Sequence, residues 1–218
     1  MRNIAKGTEP QSLTAHRART HSTYSNYREM QDLREALVRE QRGLCCYCLC
    51  RIVPRESEMK VEHWRSQRRY RLEQLVYTNL LGACKGGEKP NPKDERDVDR
   101  HCDTSKGDKD LSLNPAVNDV ESTVSYLPDG RIRSSDDTFN EELTLVLSLN
   151  TFAMVNQRKA VINSLLQLLP KRQNMRRDEW EEVARDWNGE GHDNQLREYC
   201  SVVVFWIRKY MLPRSGTV

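Results

Sequence analysis

The chain has no long apolar run. Its longest, "CSVVVFWI" at 200–207, is far too short to cross a bilayer, which needs about 20 apolar residues. Residues 1–20 are polar and basic and lack the apolar stretch of a secretory leader. Neither charge sign dominates: 35 Lys and Arg face 32 Asp and Glu, for a net charge of +3. The whole molecule is therefore no polycation, and only local clumps of charge can address a polyanion. Aromatic residues are scarce at 7% and hydrophobic residues make up only 37%, which argues for a modest core under a heavily solvated surface. No internal repeat is visible. These absences exclude membrane spans and repeat arrays, and the expected location is the cytoplasm, without membrane partners.

Cysteine is not scarce. Seven are present, and four of them crowd into "LCCYCLCRI" at 44–52. In a reducing compartment, clustered cysteines are metal ligands or redox groups before they are disulfides. Cys45 and Cys48 form C-x-x-C, which alone is equally a pair of small buried residues. A thioredoxin-like reading needs a preceding strand, and a helix precedes this pair. A tetrahedral zinc site needs two more ligands, and Cys84 and Cys102 supply them across a charged loop whose closure costs little. His101 competes with Cys102 for the fourth position. Cys46 and Cys50 alternate with the ligands and are expected to point elsewhere. Cys200 lies in a late apolar helix and reads as core.

Periodicity gives a coarse outline. Residues 1–25 read as an extended polar arm. Met30, Leu33, Leu37 and Val38 recur at helical spacing within 26–43, and Gly43 supplies a stop. "RIVPRESEMKVEHW" (51–64) reads as a β-hairpin or two short strands. Residues 69–84 read as a helix with Leu72, Leu75, Val76, Asn79 and Leu80 on one face. Residues 85–100 read as an inserted loop, and "CDTSKGD" as a turn. "VSYLPDGRIRS" (124–134) reads as a hairpin turning at Asp-Gly. From about Asn140 the pattern is helical, with amphipathic stretches at 151–170, 178–188 and 194–211. Asn114-Pro115 ends the first module.

Between the cysteine pairs lies "KVEHW". An imidazole can take a proton from water near neutral pH, and a neighbouring carboxylate can hold a divalent cation, so Glu62 and His63 make a sensible hydrolytic pair. Elsewhere the same dipeptide is an ordinary surface pair. His16, His21 and His192 lie in polar or Gly-rich contexts and read as incidental. Asn79 sits where a helix prefers other residues. Asp103 follows Cys102, three residues before Lys106. Arg65, Arg68, Arg69 and Arg71 follow His63 directly, and with Lys106 they could grip phosphates; the plain alternative is a solvated helix face. Trp64 has a ring that could stack on a base, or it is core. "KRQNMRR" (171–177) reads as a loop or partner contact.

The order C-x-x-C, E-H, N-L-L-x-x-C, C-D-x-x-K resembles the HNH endonucleases with a ββα-metal fold and a zinc-binding cysteine frame. The flanks "GTEPQSLTAHR", "REQRGLCCYC", "LSLNP" and "YLPDGRI" are similar to the HNH nuclease subunits of Septu anti-phage modules and of retrons carrying the same effector pair. The resemblance implies an α+β fold. A ββα core with structural Zn²⁺ on Cys45, Cys48, Cys84 and Cys102 would follow an N-terminal arm and helix and precede a mainly helical region. The corresponding divisions are 1–43, 44–115 and 116–218, the first a possible partner-docking segment. It implies His63 as general base, Glu62 and Asp103 as ligands of catalytic Mg²⁺ or Mn²⁺, and Asn79 as the residue that holds the active-site loop. Asp103 stands where the family has His or Asn, and the loop between Cys84 and Cys102 is longer than the family's. The implied partners are a nucleic acid substrate (DNA ahead of tRNA or other RNA), an ABC/SMC-type ATPase and a retron reverse transcriptase with its RNA–DNA hybrid. The competing readings are a non-catalytic zinc-binding recognition module and a cysteine redox switch.

Overall fold

A computed structural model describes residues 1–89, 91, 93, 100–168, 175–189 and 195–212. His192, the end of the helix expected to reach 170, residue 194 of the last helical stretch, residues 171–174 of the basic run and half of the 85–100 insert lie outside the described residues. The described chain mixes helices with two small antiparallel sheets.

The expected extended arm is instead folded against the body. It contains α1 (Gln11–Arg17), opened by Pro10, whose carbonyl accepts from Leu13 N at 3.0 Å and Thr14 N at 3.2 Å. Proline suits a helix start because its missing N–H is not needed there. Only Leu13 and His16 of this helix are buried, too few to leave a periodic trace. Leu13 packs with Tyr27 and with Leu33, Ala36 and Leu37 of α2 (Met30–Glu40). Gly43 stops α2 as expected: at φ +79° its N–H reaches back to Val38 O at 2.8 Å. A Cβ there would sit 2.4 Å from the Arg51 guanidinium.

The segment 51–84 differs from expectation. There is no hairpin within 51–64 and no helix over 69–84. β1 (Met59–His63) instead pairs antiparallel with β2 (Leu80–Cys84), in the register Met59 opposite Cys84 and His63 opposite Leu80. Every residue of β2 is buried, so it reads as a continuous apolar run with no alternation to betray a strand. Leu72, assigned by spacing to the buried face of a helix, is 97% exposed. Two short 3₁₀ turns (Arg71–Glu73 and Tyr77–Asn79) take the helix's place. The end of α2 clips onto β2 through Gln41, whose amide accepts from Gly82 N at 2.5 Å and donates to Gly82 O at 2.8 Å. Gly82 permits that approach, since a Cβ would lie 2.9 Å from Ile52 Cδ1.

The segment expected to be a turn after the charged insert forms a short helix, α3 (Cys102–Lys106), packed on β2. Helix α4 (Val120–Thr123) leads into β3 (Val124–Tyr126), which pairs with β4 (Ile132–Ser134) across the Asp129-Gly130 turn. Among the described residues four α-helices follow, α5 (Asp137–Leu145), α6 (Phe152–Leu168), α7 (Arg177–Trp187) and α8 (Cys200–Trp206), and a π-helical turn (Ile207–Met211) continues α8. Helix α8 starts later than its apolar pattern suggests because Tyr199 adopts φ +55°. Arg158 of α6 is buried, and its guanidinium donates to Gly130 O at 2.7 Å and to Leu149 O at 2.5 Å, pinning the β3–β4 hairpin to the helices. One hydrophobic cluster draws on all three segments expected at 1–43, 44–115 and 116–218, and Ile4 N donates to Pro115 O at 2.8 Å across them. No described helix is long and apolar enough to cross a membrane.

Candidate metal centre and carboxylate–histidine site

Four cysteines from three separate elements meet in the core. Cys45 and Cys48 lie in the loop closed by the Leu44–Arg51 bridge, Cys84 ends β2, and Cys102 begins α3. Their sulfurs all lie within 4.8 Å of one another. Cys45 and Cys102 are 3.8 Å apart, and Cys48 and Cys84 are 3.7 Å apart. A tetrahedron with metal–sulfur bonds of about 2.3 Å has edges of about 3.8 Å, so the sulfurs already stand at the spacing a zinc ion requires. The backbone is bent to achieve this. Cys102 takes φ +54°, a costly conformation for a residue with a Cβ, and its N–H is satisfied by Leu147 O at 2.9 Å. Cys84 N donates to Cys45 Sγ at 3.3 Å. Burial opposes ionisation of Cys45, yet hydrogen bonds from the neighbouring thiols hold it well below the usual thiol range. Hydrogen bonding with Cys102 leads the causes that pull Cys84 down to about 3. Two thiols of the set thus have the thiolate character that a soft cation binds.

Cys46 is buried outside this set, and its N–H bonds to Gly82 O. Cys50 departs from the expectation that it points away. Leu49 at φ +69° turns the chain back, and Cys50 Sγ lies 3.1 Å from Cys48 Sγ. His101 Nε2 lies 3.8 Å from Cys84 Sγ, but the imidazole is outside the four-residue set. Cys200 is fully buried in α8 among apolar side chains.

The strand pairing that brings Cys84 to the cluster also fixes the second site. Glu62 and His63 end β1, both buried, and α3 carries Asp103 and Lys106 beside them. Glu62 Oε1 accepts from Tyr47 OH at 2.7 Å and pairs with Lys106 Nζ at 2.8 Å. Burial, with the hydrogen bond and like charge of Asp103, pushes the Glu62 carboxyl well above its usual range, against the pull of Lys106. Asp103 also lies 3.7 Å from Lys60 Nζ. His63 is pinned through both nitrogens. Nε2 faces Gln74 O at 3.0 Å and Nδ1 faces Gln67 Nε2 at 3.1 Å. A carbonyl can only accept and the glutamine amide donates, so the ring carries its proton on Nε2 and offers its Nδ1 lone pair. Burial lowers the His63 pKa to about 4, so the ring is neutral at pH 7. Tyr24 stands edge-on to it, with centroids 4.5 Å apart.

Asn79 lies apart from these groups and ties the intervening loop. Its Oδ1 accepts from Arg65 N at 2.7 Å, while Nδ2 donates to Arg65 O at 3.0 Å and Glu73 O at 3.1 Å. The arginines of that loop are exposed. Arg65, Arg69 and Arg68 pair with Glu73, Asp110 and Asp108 at 2.7, 2.7 and 3.5 Å, and Arg71 faces solvent. Lys106 departs from its expected role. It is 1% exposed, bonded to Glu62 and to His63 O at 3.0 Å, and its charge is spent inside the protein. Trp64 is half-buried, with Nε1 donating to Leu113 O at 3.2 Å.

Sequence reasoning missed Tyr47, Gln67 and Gln74, which hold Glu62 and His63 in place. Nothing marks a lone Tyr or Gln as a partner until the fold brings it to the site. No protein-family model matches the chain, and no curated protein matches it.

Proposed function

We propose that the chain is a metal-dependent endonuclease that hydrolyses phosphodiester bonds in nucleic acid, on a ββα core of the HNH type. The observation that carries this reading is His63, a buried, neutral imidazole with a fixed tautomer beside the Glu62–Asp103 carboxyl pair. Two carboxyl groups turned toward each other from separate elements suit a hard divalent cation. Glu62 and Asp103 would hold Mg²⁺ or Mn²⁺. When bound, such an ion supplies charge stabilisation at the phosphate and at the leaving 3′-oxygen.

The protein's own groups do the rest. Gln67 is exposed and donates to Nδ1, the lone pair that the neutral ring has to offer. When the glutamine swings aside, a water takes the same hydrogen bond and gives its proton to Nδ1 as it attacks phosphorus. Gln74 O steadies the imidazolium that results. Asn79 keeps the 65–73 loop in place, and the exposed arginines on it suit a phosphate backbone. Zinc on the four cysteines would hold the loop, strand and helix together where the local core is small.

The resemblance of the motifs and flanks extends the proposal. The nuclease would be the effector of a bacterial anti-phage complex in the cytoplasm, with an ABC/SMC-type ATPase and, in some systems, a retron reverse transcriptase and its RNA–DNA hybrid. DNA is the first substrate to test, then tRNA and other RNA. A second reading, a non-catalytic zinc-binding recognition module, draws on one observation: Lys106 already neutralises Glu62. Cleavage assays with Mg²⁺ or Mn²⁺ on duplex DNA, single-stranded DNA and tRNA separate the two. Wild type should cut and folded, zinc-loaded His63→Ala should not, with a loss of at least about 100-fold. Equal cutting by both, or none by wild type even with the ATPase present, overturns the nuclease reading.

A further inference from the structure

The loop that Asn79 ties down carries one side chain that the protein itself does not use. Leu72 is 97% exposed, while the residue after it is held: Glu73 pairs with Arg65 at 2.7 Å, and its carbonyl accepts from Asn79 Nδ2 at 3.1 Å. Leu72 is the middle residue of the 3₁₀ turn Arg71–Glu73, so the turn sets its direction. A single exposed leucine is ordinary on a protein surface, and exposure alone decides nothing. Position does. Gln74, two residues on, holds His63 Nε2 through its carbonyl, and its α-carbon is at most about 8 Å from that of Leu72. Gln67, on the same loop, faces Nδ1, the atom that would take the proton. A phosphate served by Nδ1 therefore lies against the loop that presents Leu72.

The neighbours decide what Leu72 meets. Arg71 is exposed and pairs with no carboxylate among the described residues. Arg68, its side chain 83% exposed, keeps only a 3.5 Å pair with Asp108, which water screens and a phosphate can replace. An apolar groove on a protein partner would call for an apolar patch, yet "RSQRRYRLE" (65–73) holds no other aliphatic side chain. One leucine set among arginines matches a polyanion with an apolar interior, which is a base-paired duplex. We infer that Leu72 is a wedge that enters between two stacked base pairs of duplex DNA beside the scissile phosphate, while the arginines hold the flanking phosphates. The inference rests on the nuclease reading and names its substrate as a duplex. Apolar side chains, leucine among them, open base steps and kink the duplex in this way. The kink has a use here. His63 is only 5% exposed, so a straight, stiff duplex is poorly shaped to bring a phosphodiester to it.

The test compares cleavage, by the full zinc-loaded chain with Mg²⁺ or Mn²⁺, of a fully paired DNA duplex and of the same duplex carrying single mismatches along its length. A mismatch lowers the cost of unstacking in advance, so a wedge matters less there. The readout is the rate on paired DNA divided by the rate on mismatched DNA, which a general loss of folding or of phosphate contacts does not move. In Leu72→Ala this ratio should fall about tenfold, the loss expected when most of a buried leucine's apolar surface is removed. Leu72→Met, which keeps a long apolar side chain, should hold the wild-type ratio. Leu72 touches little else, so both variants should fold, and equal melting checks that they do. An unchanged ratio in Leu72→Ala, or a wild type that cuts single strands or RNA but no duplex, overturns the wedge and leaves the nuclease standing. A wild type that cuts no nucleic acid, even with the ATPase present, overturns both.

Discussion

Asn79 offers the sharpest test of how this site is held. The side chain touches neither the cysteine cluster nor Glu62. Its three hydrogen bonds all go to the backbone of the 65–73 loop, at 2.7, 3.0 and 3.1 Å. Asn79 is 4% exposed, so removing the amide leaves three backbone groups of the loop without their protein partner. At about 1 kcal/mol net per bond, Asn79→Ala should cost about 3 kcal/mol. For a chain of this length each kcal/mol lowers Tm by about 2–4 °C, so the melting point should fall by roughly 6–12 °C. The damage should be local as well. Arg68, Arg69 and Arg71 are exposed on the same loop, and trypsin should cut there faster in the variant. Leu72→Ala is the control: it lies in the loop, is 97% exposed, and should stay within about 0.5 kcal/mol of wild type. An Asn79→Ala protein that melts with the wild type and resists trypsin equally would refute the assignment of the loop's order to this one side chain.

Two further predictions address the buried polar centres. Protein purified under reducing conditions should carry one zinc per chain by elemental analysis. Cys102→Ser should lose it, and Cys46→Ser, Cys50→Ser and His101→Ala should keep it. Chelation should unfold the protein, because structural zinc is worth about 10–16 kcal/mol against total stabilities of about 5–15 kcal/mol; a metal-free protein whose melting is indifferent to added zinc would remove the centre. Lys106→Met should cost about 3–5 kcal/mol in urea denaturation, since it strands Glu62 as a buried unpaired acid. Adding Glu62→Gln should recover part of that loss, and a Lys106→Met cost below about 1 kcal/mol would mean that the pair is not closed in solution.

The sequence determined the chemistry available and much of the helical outline. Residues 44–52, with Cys84 and Cys102, pointed to a metal site because soft ligands in that number have few other uses. The α2 stop at Gly43, the Asp129-Gly130 hairpin and the amphipathic helices α6 and α7 were legible because each leaves a local signal: a turn residue or a period. What failed to read were contacts made at a distance. β2 is buried along its whole length, so its apolar run matched a helix face as well as a strand, and only pairing with β1 distinguishes them. That pairing brings Glu62 and His63 to Asp103 and Lys106, turns Lys106 from an expected phosphate ligand into a buried counterion, and recruits Tyr47, Gln67 and Gln74. Side-chain type sets what a residue can donate, accept or ligate. Which partner it meets depends on backbone placed by long-range burial, and that is decided only in the tertiary structure.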